Sequence, residues 1–223
     1  MHRNSTVRAQ RAGVSSLEFA FVILTLLPLL LGTGVVGINM IRTLQTIQLA
    51  RDAGHMYARN VDFSQTGNQS ILGNIGSTLG LSTTPDTGSA VVILSALTYV
   101  DKNLCASAKA VDQNGNPSGC TNYTKWVFTQ QLVIGNSRVR QSNIGSPSGV
   151  PMDSDTHKIQ LSDYVLNSGA VAQFNGVNPY AVVNGASQGL PSGQTLFVAE
   201  AASQGFSVRP FVPNAVAYSY GLF

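Results

Sequence analysis

The most informative shortage in this 223-residue sequence is charge, because Asp, Glu, Lys and Arg together make up only 10% of it. Cysteine is also scarce, at two residues, and there are three histidines and one tryptophan. So little charge is unlike a cytoplasmic enzyme and typical of exported surface proteins. The histidines and cysteines lack the spacing that metal coordination needs. The sequence therefore predicts no metal site and no cofactor.

Motifs for catalysis and for nucleic-acid binding are also scarce in the sequence. No Walker phosphate-binding loop occurs, and Ser154, Asp155 and His157 are too close in sequence to build a catalytic triad. The net charge of +3 and the pI near 9.0 come from cations spread along the chain, with no basic run interleaved with aromatic residues. We therefore predict neither an enzyme nor a nucleic-acid-binding protein.

Against this background one long apolar run stands out near the N-terminus. From Phe19 to Ile41 there is no charged residue, and about 20 such residues in a helix cross the roughly 30 Å hydrocarbon core of a bilayer. Glu18 lies immediately before the run. A charge there costs up to about 2.5–3.5 kcal/mol if it is driven to the bilayer centre, and less near the interface. The run predicts a membrane helix, and Glu18 predicts a partner for its carboxylate.

The residues around Glu18 carry a family resemblance. Gly13 is followed by Val14, and Glu18 and Phe19 are the fifth and sixth residues after the glycine. This arrangement resembles a type IV prepilin signal, and residues 13–32, GVSSLEFAFVILTLLPLLLG, most resemble the TadE-like minor pilins (pseudopilins) of the tight adherence, or Flp, pilus system. The resemblance implies cleavage between Gly13 and Val14 by a membrane prepilin peptidase. It also implies that Glu18, beside Phe19, pairs with the freed N-terminal amine of a neighbouring subunit.

Membrane orientation does not follow from charge alone, because arginines flank the apolar run on both sides. A conventional secretory signal is disfavoured, since its apolar region spans only about 7–15 residues. The acid-free leader, the implied peptidase site and the two cysteines favour a cytoplasmic N-terminus. We expect a single-pass protein of the inner (cell) membrane with a periplasmic or extracellular head.

The chain divides by composition into five segments. We predict a leader over residues 1–13, a transmembrane helix over 14–41, an amphipathic extension of that helix over 42–60, a linker over 61–87 and a β-rich head over 88–223. In the extension, apolar residues recur at three- and four-residue steps, as on one face of a helix. The linker is rich in Gly, Ser, Thr and Asn, with a hint of a short helix at Ile71–Leu79.

The head is predicted to be a small antiparallel sheet, which makes the fold class α+β and pilin-like. Runs rich in β-branched residues predict strands over 90–100 and 123–134, joined as a hairpin. Another short strand is expected over 137–141. The segment 195–202 is expected to be a helix or a strand, and 206–212 and 215–223 close the chain as strands.

Cys105 and Cys120 flank a turn-rich loop within the head. A disulfide between them would stabilise the fold by about 3 kcal/mol on a chain-entropy estimate, and it requires an oxidising compartment such as the periplasm. The alternative is two free thiols. We favour the disulfide.

These expectations combine into a non-enzymatic pilus assembly component that enters or initiates a filament. Its expected partners are the membrane, the prepilin peptidase, other pilin-like subunits and the inner-membrane assembly platform. An uncleaved signal-anchor envelope protein, serving adhesion or secretion assembly, shares every feature except processing after Gly13. A membrane-tethered hydrolase is a third, weaker hypothesis, which a clustered acid, base and nucleophile in the head would support.

Overall fold

The computed structural model describes residues 5–174, 182–183, 186–187, 192–207 and 215–223, with the backbone alone for residues 5–15, 182–183 and 186–187. Four α-helices are α1 (Ser5–Ala58), α2 (Thr66–Ile75), α3 (Lys102–Ser107) and α4 (Leu161–Leu166). The strands are β1 (Ala90–Tyr99), β2 (Trp126–Gly135), β3 (Val182–Val183), β4 (Ala186–Ser187), β5 (Thr195–Gln204) and β6 (Val216–Leu222). A long N-terminal apolar helix followed by a small antiparallel sheet confirms the α+β class.

The described chain forms two compact units. Among the described residues, the N-terminal unit comprises 5–41 with 206, 207 and 215, and the head unit comprises those between 42 and 205 with 216–223. In the N-terminal unit, α1 is helical through Pro28, and every side chain described from Ser16 to Ile41 is exposed except those of Val35 and Asn39. Almost all of the apolar surface of this stretch is therefore left uncovered by the described residues.

The head unit is built on a four-stranded antiparallel sheet in the order β2-β1-β5-β6. The two central strands are largely apolar; β1 is rich in the β-branched residues that strands favour and is buried along almost its whole length. The predicted hairpin pairing of β1 with β2 is present, with a register irregularity at Ala96/Leu97. β5 pairs antiparallel with both β1 and β6.

The last turns of α1 cover one face of this sheet. Leu49, Ala50, Ala53 and Tyr57 recur at the spacing of a helix face, and they pack with alternate residues of the central strands, including Val92 and Leu94. Closer to the N-terminus of the same helix, Arg42 donates to the carbonyl of Gln204 (2.6 Å), and the hydroxyls of Thr46 and Ser203 lie 2.8 Å apart. The amphipathic pattern of the extension thus places it against the sheet.

The segment predicted as a linker contributes to the same core. It holds α2, and Phe63, Leu72, Leu79 and Leu81 are all buried in the cluster under α1. Its polar residues serve local turns instead, as where Asp62 accepts bonds from the backbone and hydroxyl of Ser64 (3.0 and 2.6 Å). A Gly- and Ser-rich composition therefore conceals a segment anchored by a few apolar side chains.

The opposite face of the sheet is covered by loops. Residues 144–174 pack on it through a cluster that contains Trp126, Phe128 and Phe174. Cys105, which lies within α3, forms the predicted disulfide with Cys120. The disulfide lies in a buried cluster with Val100, Val127 and Val165.

One predicted strand is absent. Residues 137–139 form a turn and residues 140–141 are irregular, because the Asn136 side chain accepts from the Arg138 amide (3.1 Å) and the Asn136 carbonyl accepts from the Val139 amide (3.0 Å). These local bonds take the backbone groups that a strand would need. The segment 195–202 is strand β5, whereas most of the strand predicted over 206–212 lies outside the described residues.

Candidate functional site

The predicted cleavage and pairing residues lie on the first part of α1. Gly13 and Val14 are in helical backbone, and Glu18 follows Val14 by four residues, which is about one turn. Glu18 therefore shares a helix face with the position at which the predicted cleavage would free an amino group. Its carboxylate is exposed, and among the side chains that the structure describes none donates a hydrogen bond to it.

The helix surface that follows Glu18 is apolar and exposed. Phe19 is 66% exposed and Leu24 is 70% exposed, and the pattern continues to Ile41 at 57%. Within the described residues, α1 is the one helix long and apolar enough to cross a membrane. A surface of this kind needs a cover other than water.

Three glycines in this stretch have open space beside them. A methyl group added at Gly32, Gly34 or Gly37 would meet no described atom within 4 Å beyond its chain neighbours and the backbone of its own helix. Residues 32–37, GTGVVG, match the spacing of a dinucleotide-binding loop, but that loop requires a turn between a strand and a helix. Here the glycines lie in the interior of α1, so they carry no such site.

An open cleft of about 470 Å³ lies in the head unit. Tyr57 lies in it and donates to Gln130 Oε1 (2.8 Å), and the Gln130 amide donates to the Thr156 carbonyl (2.5 Å). Burial, and then the negative charge of Asp62, raise the pKa of the Tyr57 phenol. Ser64 holds the pKa of the exposed Asp62 carboxyl below its ordinary value. The phenol is thus kept protonated and committed to an internal bond.

A second polar group lies under the sheet. Glu200 is 2% exposed. Its carboxylate accepts from the Ser142 hydroxyl, the backbone amide of Asn143 (2.8 Å) and the Tyr218 hydroxyl (2.6 Å). The Arg140 guanidinium lies 3.9 Å above the Tyr218 ring, as in a cation–π pair. Burial and the neighbouring Glu200 raise the pKa of Tyr218. This cluster fastens the loop after β2 to strands β5 and β6.

The weak catalytic patterns do not converge. The Ser154 hydroxyl contacts the Asp155 carboxylate (3.3 Å) in an exposed turn, and His157 is exposed beside them. Residues 185–189, GASQG, match the spacing of a hydrolase nucleophile elbow, which places its serine at a strand-to-helix turn. Ser187 instead lies in the two-residue strand β4, paired with Val182. Within the described chain, no acid, base and nucleophile are brought together by these patterns.

Sequence reasoning missed the Glu200 cluster and a contact between Asn39 and Phe206. The available signal for the first was a lone carboxylate in the apolar segment 195–202. The signal for the second was an amide within the uncharged run.

Comparison with protein families, with curated proteins and with solved structures finds no match to this chain.

Proposed function

We propose that this chain is a TadE-like minor pilin or pseudopilin, a non-enzymatic component of a type IV/Flp pilus. In this proposal α1 anchors it in the inner membrane, with residues 1–13 cytoplasmic and the head periplasmic or extracellular. Prepilin peptidase cuts between Gly13 and Val14. The mature helix then joins other pilin-like subunits and the inner-membrane assembly platform.

The observation that carries this proposal is the combination of Glu18 with the exposed apolar surface of α1. A carboxylate beside hydrocarbon is unfavourable, whereas an ammonium within about 4 Å in a low-dielectric surrounding returns several kcal/mol. The N-terminal amine of a second processed subunit supplies such an ammonium. The open positions at Gly32, Gly34 and Gly37 support close approach of another helix.

The disulfide supports the assignment of the head to the outside of the cell. Disulfides persist in oxidising compartments and are rare in the cytosol. With the head outside and a single span, residues before Glu18 lie in the cytoplasm, where the implied peptidase acts.

The primary test is the intact mass and N-terminal sequence of the protein purified from membranes of cells that contain the cognate peptidase. A start at Val14 supports the proposal, and a Gly13→Val variant should then retain its leader. A start at Met1 in the same cells would favour the uncleaved signal-anchor hypothesis. A cut beyond Ile41 would refute a role for the helix in the mature protein.

The pairing role has its own test. A Glu18→Ala variant should reach the membrane with its disulfide formed but enter sheared filaments at least about tenfold less, since losing 1.4 kcal/mol changes an equilibrium tenfold. Ser16→Ala is the matched control, because Ser16 is also an exposed polar residue of the same helix. Equal incorporation of the Glu18 variant and the control would contradict the pairing role.

A further inference from the structure

The uncharged run of α1 contains one carboxamide close to its end. Asn39 is partly buried, whereas its neighbours Met40 and Ile41 are 66% and 57% exposed apolar residues. An amide without hydrogen-bond partners in an apolar medium costs about 2–7 kcal/mol, depending on the reference state. If α1 spans a membrane, Asn39 needs partners at its own depth.

Two partners of Asn39 are main-chain groups of a single distant residue. Asn39 Nδ2 donates to the Phe206 carbonyl (3.1 Å), and the Phe206 amide donates to Asn39 Oδ1 (2.7 Å). The side chain thus makes a two-bond bridge of the kind that joins neighbouring strands. It also supplies the Phe206 backbone with the partners that any irregular segment requires at the edge of a bilayer.

This bridge fixes the depth of Phe206. Arg42 is the first charged residue after the apolar run, and Asn39 precedes it by three residues, or about 4.5 Å along the helix. The polar interface of a bilayer adds about 5–8 Å on each side of the hydrocarbon core. Phe206 belongs to the same compact unit as the apolar helix, and its ring is 41% exposed.

We infer that Phe206 is a second membrane contact of this chain, with its ring in the boundary between the lipid headgroups and the acyl chains and the Asn39 bridge as its tether. This inference rests on the membrane anchoring proposed above. Aromatic side chains favour that boundary because their apolar body is covered by lipid there. The partner is a lipid surface, and the contact keeps the segment at Phe206 beside the end of the apolar run of α1.

The test is depth-dependent quenching of tryptophan fluorescence in the full chain, reconstituted in phosphatidylcholine vesicles whose acyl chains are brominated near the headgroup or near the chain end. Phe206→Trp is the probe. Leu30→Trp, at a residue 62% exposed in the apolar run, is the control for deep insertion, and Tyr220→Trp, at a residue 62% exposed in the head, is the aqueous control. The native Trp126 is buried and gives the background, measured in the unaltered chain.

We expect the Phe206→Trp probe to be quenched more strongly by shallow than by deep bromine, and the Leu30→Trp control to show the opposite order. Adding Asn39→Leu should lower quenching of the Phe206→Trp probe several-fold while leaving the Leu30→Trp control unchanged. If the Phe206→Trp probe matches the Tyr220→Trp control while the Leu30→Trp control is quenched, the inference is wrong and the anchoring stands. Absence of quenching in the Leu30→Trp control would refute both.

Discussion

Replacing Glu200 by alanine should lower the free energy of unfolding of the head unit by about 3–5 kcal/mol, because three donors lose a charged acceptor and a hydrogen bond to a charged group contributes about 1.5–3 kcal/mol. The carboxylate is buried and accepts three hydrogen bonds, from Ser142, Asn143 and Tyr218. Ser142 and Tyr218 are partly exposed and Asn143 is exposed, so water replaces part of each lost bond and the total stays below the sum of three full contributions. A domain of this size is stable by only about 5–15 kcal/mol, so the loss is a large fraction of the total.

Glu200→Gln is the matched control. Its carbonyl oxygen can keep the bonds from Asn143 and Tyr218, both of which go to the same oxygen of the carboxylate. The Ser142 hydroxyl can rotate and accept from the new amide. The variant loses charge assistance but few hydrogen bonds, and we expect a loss of about 1 kcal/mol.

The assay is denaturant unfolding of the full chain in detergent micelles, followed by the fluorescence of Trp126, which is buried in the head. The two variants should differ by at least about 2 kcal/mol. Equal losses for both would mean that the negative charge, rather than the donor count, stabilises the cluster. A loss below about 1 kcal/mol for the alanine variant would refute the claim that Glu200 is needed to satisfy these donors.

Two further predictions concern the same unit. Leu72→Ala should lower the free energy of unfolding by about 2–5 kcal/mol in the same assay, because Leu72 is fully buried. The control Ile71→Ala, at a residue 52% exposed, should lower it by less than about 0.5 kcal/mol. Similar losses for both variants would mean that the segment before β1 is not part of the core. Because the pKa of Tyr57 is raised in the folded state, its contribution to stability is complete below the pKa of about 10 of an unfolded tyrosine and is lost as the pH rises above it. Tyr57→Phe should therefore flatten the fall in stability above about pH 10, and an unchanged slope would contradict the assignment.

The parts of this fold that were predictable are those in which a short stretch of sequence determines its own environment. The uncharged run from Phe19 to Ile41 can form only an apolar helix, and the β-branched run at the start of β1 can be buried on both faces only in a central strand. The Cys105–Cys120 disulfide was also predictable, because two cysteines allow a single pairing within the chain.

The unpredicted parts depend on which distant segments meet. The composition of residues 61–87 suggests a linker, because Gly and Ser outnumber the few side chains, such as Phe63 and Leu72, that anchor the segment. The partners of Glu200 come from a loop and from β6, so they follow from strand order rather than from the sequence around Glu200. The bridge from Asn39 to Phe206 joins residues 167 apart.

Glu18 and Glu200 are two carboxylates with opposite surroundings, and under the proposed function they have different roles. Both carboxylates lie among apolar residues, and both need partners for the same electrostatic reason. Glu200 has three donors from its own chain, whereas the side chains described around Glu18 provide none. In the head, the Glu200 carboxylate therefore has its donors within the chain, whereas the apolar side chains that follow Glu18 are exposed. A Glu200 variant should consequently fail in folding first, and a Glu18 variant should fold normally and fail in assembly.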